Sequence, residues 1–197
     1  MDDLIKPAFV IFDVETTGLF PETGDRIVEI AALKIVDLQI VDKFHSLVDP
    51  KREISFGAYE VNGITPEMLK GAPEAKDVLP RLLKFLGPAH LVGHNVRFDL
   101  GFLCHELSLL DMKLHEKTMV VDTLKLARRI LPSLDRYPLW LVAESLGIEI
   151  EQRHRAMADV ELTLQVFQKL IERKKSKSPV VKNIYEDVLD RYQTFSR

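Results

Sequence analysis

The chain has little of several things, and each shortage narrows the reading. Of its 197 residues one is cysteine, Cys104, so neither an intrachain disulfide framework nor a multi-cysteine zinc site can be built. Asparagine occurs three times and glutamine five times, a scarcity of thermolabile amides that points to a heat-adapted source. No apolar run approaches the ~18–20 residues needed to cross a bilayer, and the charged start, Met1-Asp-Asp-Leu-Ile-Lys6, is not a secretory signal. The expectation is a cytoplasmic protein without a membrane partner. Excess positive charge is missing too: 27 Lys and Arg stand against 30 Asp and Glu, for a net charge of −3. A protein that coats long stretches of nucleic acid through a basic face is excluded on that balance. An enzyme that grips a few nucleotides is not, because bound metal can supply the positive charge.

What is present suits one ordinary domain with a sizeable core: 46% of the residues are hydrophobic and 29% charged. The first third reads as strands over Ala8–Glu15, Arg26–Val36 and Gln39–Val48. Only Asp37-Leu38 separates the last two, which makes them an antiparallel hairpin. The remainder alternates. Helical periodicity covers Glu74–Leu86, Val96–Leu110, Thr123–Ile130, Leu139–Leu146 and Ala156–Lys174, and short strands fall at His90–His94 and Met119–Val121. A meander followed by alternation predicts an α/β fold. Its mixed central sheet has a three-strand antiparallel meander plus two further strands, flanked by helices. Ser176-Lys-Ser-Pro179 breaks the last long helix, dividing the chain into a domain over 1–175 and a tail over 176–197. The tail could hold one short helix at Asn183–Tyr192.

Acidic residues stand where a core is expected. Asp13 and Glu15 close an otherwise apolar strand, and period-two alternation puts both on one face, roughly 6–7 Å apart. Two such acids repel and lose hydration, so they need a cation or a proton, unless the strand has already ended and both are solvated. Asp99 lies in the first turn of its helix, on the side of Phe102 and Leu103, with Asn95 as the candidate cap; an acid there also suits the helix dipole. On the helix from Ala156 the apolar side is Val160, Leu164, Phe167, Leu170 and Ile171, and the exposed side Glu161, Gln168, Lys169, Glu172 and Arg173. Asp159 shares a row with Leu162, Thr163 and Val166, so it points to the core margin. His154 lies five residues before it, within reach of the same place. Four carboxylates and a histidine without cysteine suit hard cations such as Mg²⁺ or Mn²⁺ and chemistry on phosphate. Asp122 reads as a helix cap. The remaining histidines, Cys104 and Trp140 read as structural or solvated.

Three ordered segments resemble one family. Phe12-Asp-Val-Glu-Thr-Thr-Gly18 is similar to the Asp-x-Glu motif of the DnaQ-like DEDD exonucleases. His94-Asn-Val-Arg-Phe-Asp99 is similar to the second motif, and His154-Arg-Ala-Met-Ala-Asp159 to the third, whose histidine selects the DEDDh branch. The resemblance runs from about Ala8 to about Ile171. It implies an RNase H-like fold and a metal-dependent 3′→5′ exonuclease that releases nucleoside 5′-monophosphates from the 3′ end of single-stranded or mispaired DNA, as in polymerase proofreading or DNA repair. RNA 3′-end trimming and a catalytically inactive end-binding module are the alternatives. By motif position Asp13, Glu15, Asp99 and Asp159 would hold two Mg²⁺, with Mn²⁺ able to substitute, and His154 would be the general base. The backbone amides of Thr16 and Thr17 would reach the terminal 3′-hydroxyl, beside Gly18, and Leu19 would pack on the terminal base. Asn95 and Phe98 would shape the pocket. Asn62 stands where many relatives place a histidine. The implied partners are single-stranded DNA 3′ ends, with RNA as the alternative, and a DNA polymerase catalytic subunit.

Overall fold

The computed structural model describes residues 8–150, 155–177 and 190–191. Strand β1 (Phe9–Thr16) pairs antiparallel with β2 (Ile27–Val36), and β2 with β3 (Gln39–Leu47). The β2–β3 connection is Asp37-Leu38 as expected, both residues left-handed at φ 52° and 62°, the backbone a two-residue hairpin requires. Neither is glycine, so the turn is strained. The Leu38 side chain packs against the core and its carbonyl accepts from Gln168 Nε2 at 2.8 Å, which offsets that strain. Gln168 is therefore half-buried rather than on the exposed side.

Strands β4 (His90–Gly93) and β5 (Met119–Asp122) add in parallel to β1, and β6 (Asp190–Arg191) pairs antiparallel with β5. The order across the sheet is β3-β2-β1-β4-β5-β6. Of the terminal helix expected over 183–192, only 190 and 191 are described residues, and those two are strand, because β5 offers an open edge there. The five expected strands and the mixed sheet are as read from the pattern.

Helices α1 (Phe56–Asn62), α2 (Ala75–Leu86), α3 (Arg97–Ser108), α4 (Thr123–Ile130), α5 (Leu139–Ser145) and α6 (Ala156–Lys177) complete the fold. No helix among the described residues is long and apolar enough to cross a membrane.

The alternation of β1 sorts the core into two layers. Phe9 and Ile11 join Ala31, Leu33 and Ile35 of β2 under α4, α5 and α6. Val10, Phe12 and Val14 face the other way, onto α2 and α3. Helix α6 is more enclosed than its pattern implied: Leu162, Thr163 and Val166 are buried along with the five residues of its apolar side. The reason is that α6 meets β1 and β2 on one side and α4 and α5 on another.

Candidate active site

Parity carries the site. The face of β1 that buries Phe9 and Ile11 continues to Asp13 and Glu15, and that face looks toward α6, the helix of Asp159. Both acids lie within the strand, half-buried, and have not passed into solvated loop. One carboxylate oxygen from each of Asp13, Glu15 and Asp159 lies within 4.8 Å of the others. Asp99 enters from the other layer. It is buried, and its Oδ1 accepts from the Val14 amide at 3.1 Å. That amide has no strand partner because β4 pairs only with Phe9–Ile11 before it ends. The acids thus gather outside the carboxyl ends of parallel strands, where open α/β sheets leave a crevice.

Burial, then the charges of Asp99, Glu15, Asp159 and Glu29, push the Asp13 carboxyl well above the usual range. Burial and the charges of Asp159, Glu29 and Asp99 raise Glu15 to about 8, against the pull of Arg155. Asp99 rises to about 7, chiefly by burial, with the Val14 hydrogen bond opposing it. Carboxylates so placed cannot all ionise together without a cation. The donors are all hard oxygens, and their mutual repulsion is what a divalent ion would relieve, so the residues fit that group.

Beside the acids lies a cavity of about 450 Å³ whose walls include Glu15, Thr16, Gly18, Leu19, Asn62 and Phe98, a size suited to one nucleotide. Leu19 is 66% exposed at its rim. Thr16 Oγ1 donates to the Gly18 carbonyl at 2.6 Å. Asp25 closes the turn from inside: it accepts from the Thr17 hydroxyl at 3.1 Å and from the Phe20 amide at 3.1 Å. A Cβ on Gly18 would collide with the Asp25 carboxylate, so only glycine fits.

Two expected contacts are differently placed. Thr17 is fully buried and its amide already donates to the Arg26 carbonyl at 2.9 Å, which removes it as a donor to a 3′-hydroxyl. Asn95 is exposed, left-handed at φ 60° and absent from the cavity wall. It does not cap α3, whose cap position is Val96 without a side-chain bond. The left-handed backbone turns Asn95 away, and its amide donates to Asp122 Oδ1 at 3.0 Å. Asp122 also accepts from Leu124 at 3.0 Å, making it the expected cap of α4. His94 is held by the Thr123 hydroxyl at 2.9 Å and the Tyr137 carbonyl at 2.8 Å, and burial lowers its pKa. With both ring nitrogens engaged, it is a structural ring. His154 lies outside the described residues.

Asn62 is buried in the cavity wall. Its Nδ2 donates to the Thr16 carbonyl at 3.2 Å and its Oδ1 accepts from the Ile64 amide at 3.0 Å. The residue therefore ties α1 to the end of β1.

Pattern reading passed over Glu29 and Asp25. Glu29 is 1% exposed on β2, paired in register with Glu15. The signal was in the chain: an acid inside Ile27-Val28-Glu29-Ile30-Ala31, the same anomaly that drew attention to Asp13.

A sheet of this order, with carboxylates converging at the end of β1, the strand that is antiparallel to β2 and parallel to β4, defines an RNase H-like nuclease domain. Residues 10–167 match the RNase_T exonuclease family, and the chain belongs to it. It is 40% identical over 183 residues to a PolC-type DNA polymerase III of Clostridium perfringens, and 43% identical over 164 residues to that of Thermotoga maritima. These alignments cover 92% and 83% of this chain but 12% of each polymerase, so the chain spans about an eighth of the length of those relatives. Among solved structures, exonuclease X in complex with 5′ overhanging duplex DNA superposes with a TM-score of 0.69 at 26% identity, covering 91% of this chain and 98% of that one. Exonuclease I of E. coli in complex with a dA16 oligonucleotide shares the fold, with a TM-score of 0.75 at 22% identity over 88% of this chain and 42% of its own.

Proposed function

We propose that this chain is a Mg²⁺-dependent 3′→5′ exonuclease that removes nucleoside 5′-monophosphates from single-stranded or mispaired DNA ends, in the service of polymerase proofreading. The observation that carries this reading is the convergence of Asp13, Glu15 and Asp159 within 4.8 Å beside a nucleotide-sized cavity. The likeness to PolC-type polymerases supports DNA over RNA and a polymerase catalytic subunit as partner. The nuclease domain is taken as 1–175, with 176–197 as a tail, and a cytoplasmic setting belongs to the same proposal.

Asp13, Glu15 and Asp159 would hold the ions, with Asp99 in support. Two Mg²⁺ would polarise the scissile phosphate and lower the pKa of the attacking water. The protein does the rest. The cavity takes the terminal nucleotide, with Leu19 against its base and Phe98, packed at a tilt against Phe102 with ring centroids 5.0 Å apart, as a stiff wall. The Thr17–Asp25 turn holds the backbone beside the sugar. His154 accepts the proton of the water that attacks phosphorus, and the 3′-oxygen of the preceding nucleotide leaves.

The test is a gel at single-nucleotide resolution with 5′-labelled DNA and RNA of one sequence, in Mg²⁺, in Mn²⁺ and in chelator. A metal-dependent ladder shortening from the 3′ end, faster on DNA, is the expected result. A faster RNA ladder would reassign the substrate. No ladder with either metal, but retained binding of 3′ ends, would make the chain an end-binding module.

A further inference from the structure

Glu29 sits where electrostatics alone would not put it. It lies opposite Glu15 on the same sheet face as Asp13, so its charge adds to the repulsion among the site acids. Burial raises its own pKa, but hydrogen bonds from Arg155 and His45 outweigh that and hold the carboxyl below its usual value. Glu29 is therefore an anion at neutral pH.

Its partners show what the charge grips. Arg155 donates through Nη2 to Oε1 at 2.9 Å and through Nε to Oε2 at 3.2 Å. The Ala156 amide donates to Oε2 at 3.4 Å, and His45 Nε2 meets Oε1 at 2.7 Å. Arg155 and Ala156 are the junction into α6. The Asp159 amide donates to the Arg155 carbonyl at 3.0 Å, so the first turn carrying Asp159 is built directly on the gripped residue. His154 is the preceding residue in the chain. A buried ion pair is on average no more stabilising than apolar residues of the same volume. One set beside like charges has still less claim as a mere staple. What the fork supplies is direction, because the planar guanidinium bonded through two nitrogens has one orientation.

We propose that Glu29 is a positioning residue for the metal site: through Arg155 and the Ala156 amide it sets the start of α6, and with it the reach of Asp159 toward Asp13 and Glu15. The inference rests on the nuclease reading for its kinetic arm. Its binding arm, Mn²⁺ affinity measured by electron paramagnetic resonance, does not need turnover.

The experiment compares Glu29→Gln, Arg155→Lys and the control Glu106→Gln in the full chain. Glu106 is equally buried and equally forked, by Arg26 at 2.7 Å through both nitrogens, but it grips the start of β2 instead of α6. Glu29→Gln should weaken Mn²⁺ binding ~10–100-fold and lower kcat by a similar factor with KM changed less than ~3-fold, the range seen when groups behind metal ligands are altered. Arg155→Lys, which keeps the charge and loses the fork, should fall between wild type and Glu29→Gln. Glu106→Gln should lose thermal stability yet keep its Mn²⁺ affinity. Unchanged Mn²⁺ affinity in Glu29→Gln would overturn the proposal, as would an equal loss in Glu106→Gln. If Glu29→Gln does not fold, unchanged affinity in Arg155→Lys decides against it. A wild type that binds Mn²⁺ but cuts neither DNA nor RNA would refute the nuclease reading alone.

Discussion

Asp13 is the residue on which most depends, and its two roles oppose each other. As the proposed ligand it needs its charge; as a half-buried group beside four other acids it is better without one. Asp13→Asn should abolish hydrolysis, with a loss of at least ~100-fold. The same change should stabilise the protein in chelator by about 1–3 kcal/mol, because an unfavourable buried charge is gone. Opposite signs for activity and melting temperature in one variant are the expected signature. The pH dependence follows the same logic. Glu15, with an ordinary value of 4.5, is raised to about 8 in the fold, so the folded protein binds more protons than the unfolded chain between those values. In chelator, the Glu15 contribution to stability should be full below about pH 4.5 and fall as pH rises toward 8. Saturating Mg²⁺ should flatten that fall, as melting curves at several pH values would show. Gly18 gives a steric test. Gly18→Ala must displace Asp25, which anchors Thr17 and Phe20, so KM for DNA should rise more than stability falls. A KM within experimental error of wild type would remove the turn from the binding site.

At the scale of elements, strands and long helices were legible because their periods were clean. Strand β2 was read from its apolar run and hairpin turn, and α4 from Asp122, whose cap bond is present. Asp122→Ala should cost about 1–2 kcal/mol, somewhat more than an ordinary cap, because the Asn95 amide loses its acceptor as well. Chemical denaturation would measure it. Helix α1 was not legible. It is seven residues long, and its apolar side chains point out: Phe56 is 76% exposed, Tyr59 42% and Val61 55%. Periodicity finds the buried face of a helix, and α1 buries only Asn62. The local signal lay in Ser55, whose side chain accepts from the Ala58 amide at 3.2 Å. Asn95 illustrates a different failure. A cap-forming residue in front of a helix was read as its cap, but tertiary demand from Asp122 claimed the same backbone. The three acid motifs are legible from the chain, and so is the anomaly of an acid at Glu29; what Glu29 and Asp25 hold becomes visible only when the strands are paired.

For the whole molecule, a net charge of −3 with an acid cluster at the site implies weak long-range attraction for a polyanion. The affinity for single-stranded DNA should depend shallowly on salt. Few phosphate contacts, each contributing about −0.7 to the slope of log K against log salt, predict a slope between about −1 and −3. A fluorescence titration in Ca²⁺ across salt concentrations would give it, and a much steeper slope would mean a basic track that the net charge does not suggest.

The site also has a history in the order of synthesis. Asp13 and Glu15 belong to a meander that is complete at Leu47, whereas Asp159 arrives on a helix that begins at Ala156. A chain emerging from the ribosome can pair β1, β2 and β3 early, yet it carries an incomplete set of the proposed ligands until α6 has been made and docked across a span of well over a hundred residues. Contacts of such separation form late. In refolding, the amides of β1, β2 and β3 should therefore gain protection from hydrogen exchange before nuclease activity returns. An interrupted synthesis product would then be unable to cut the nucleic acid around it, a safeguard that comes from topology alone.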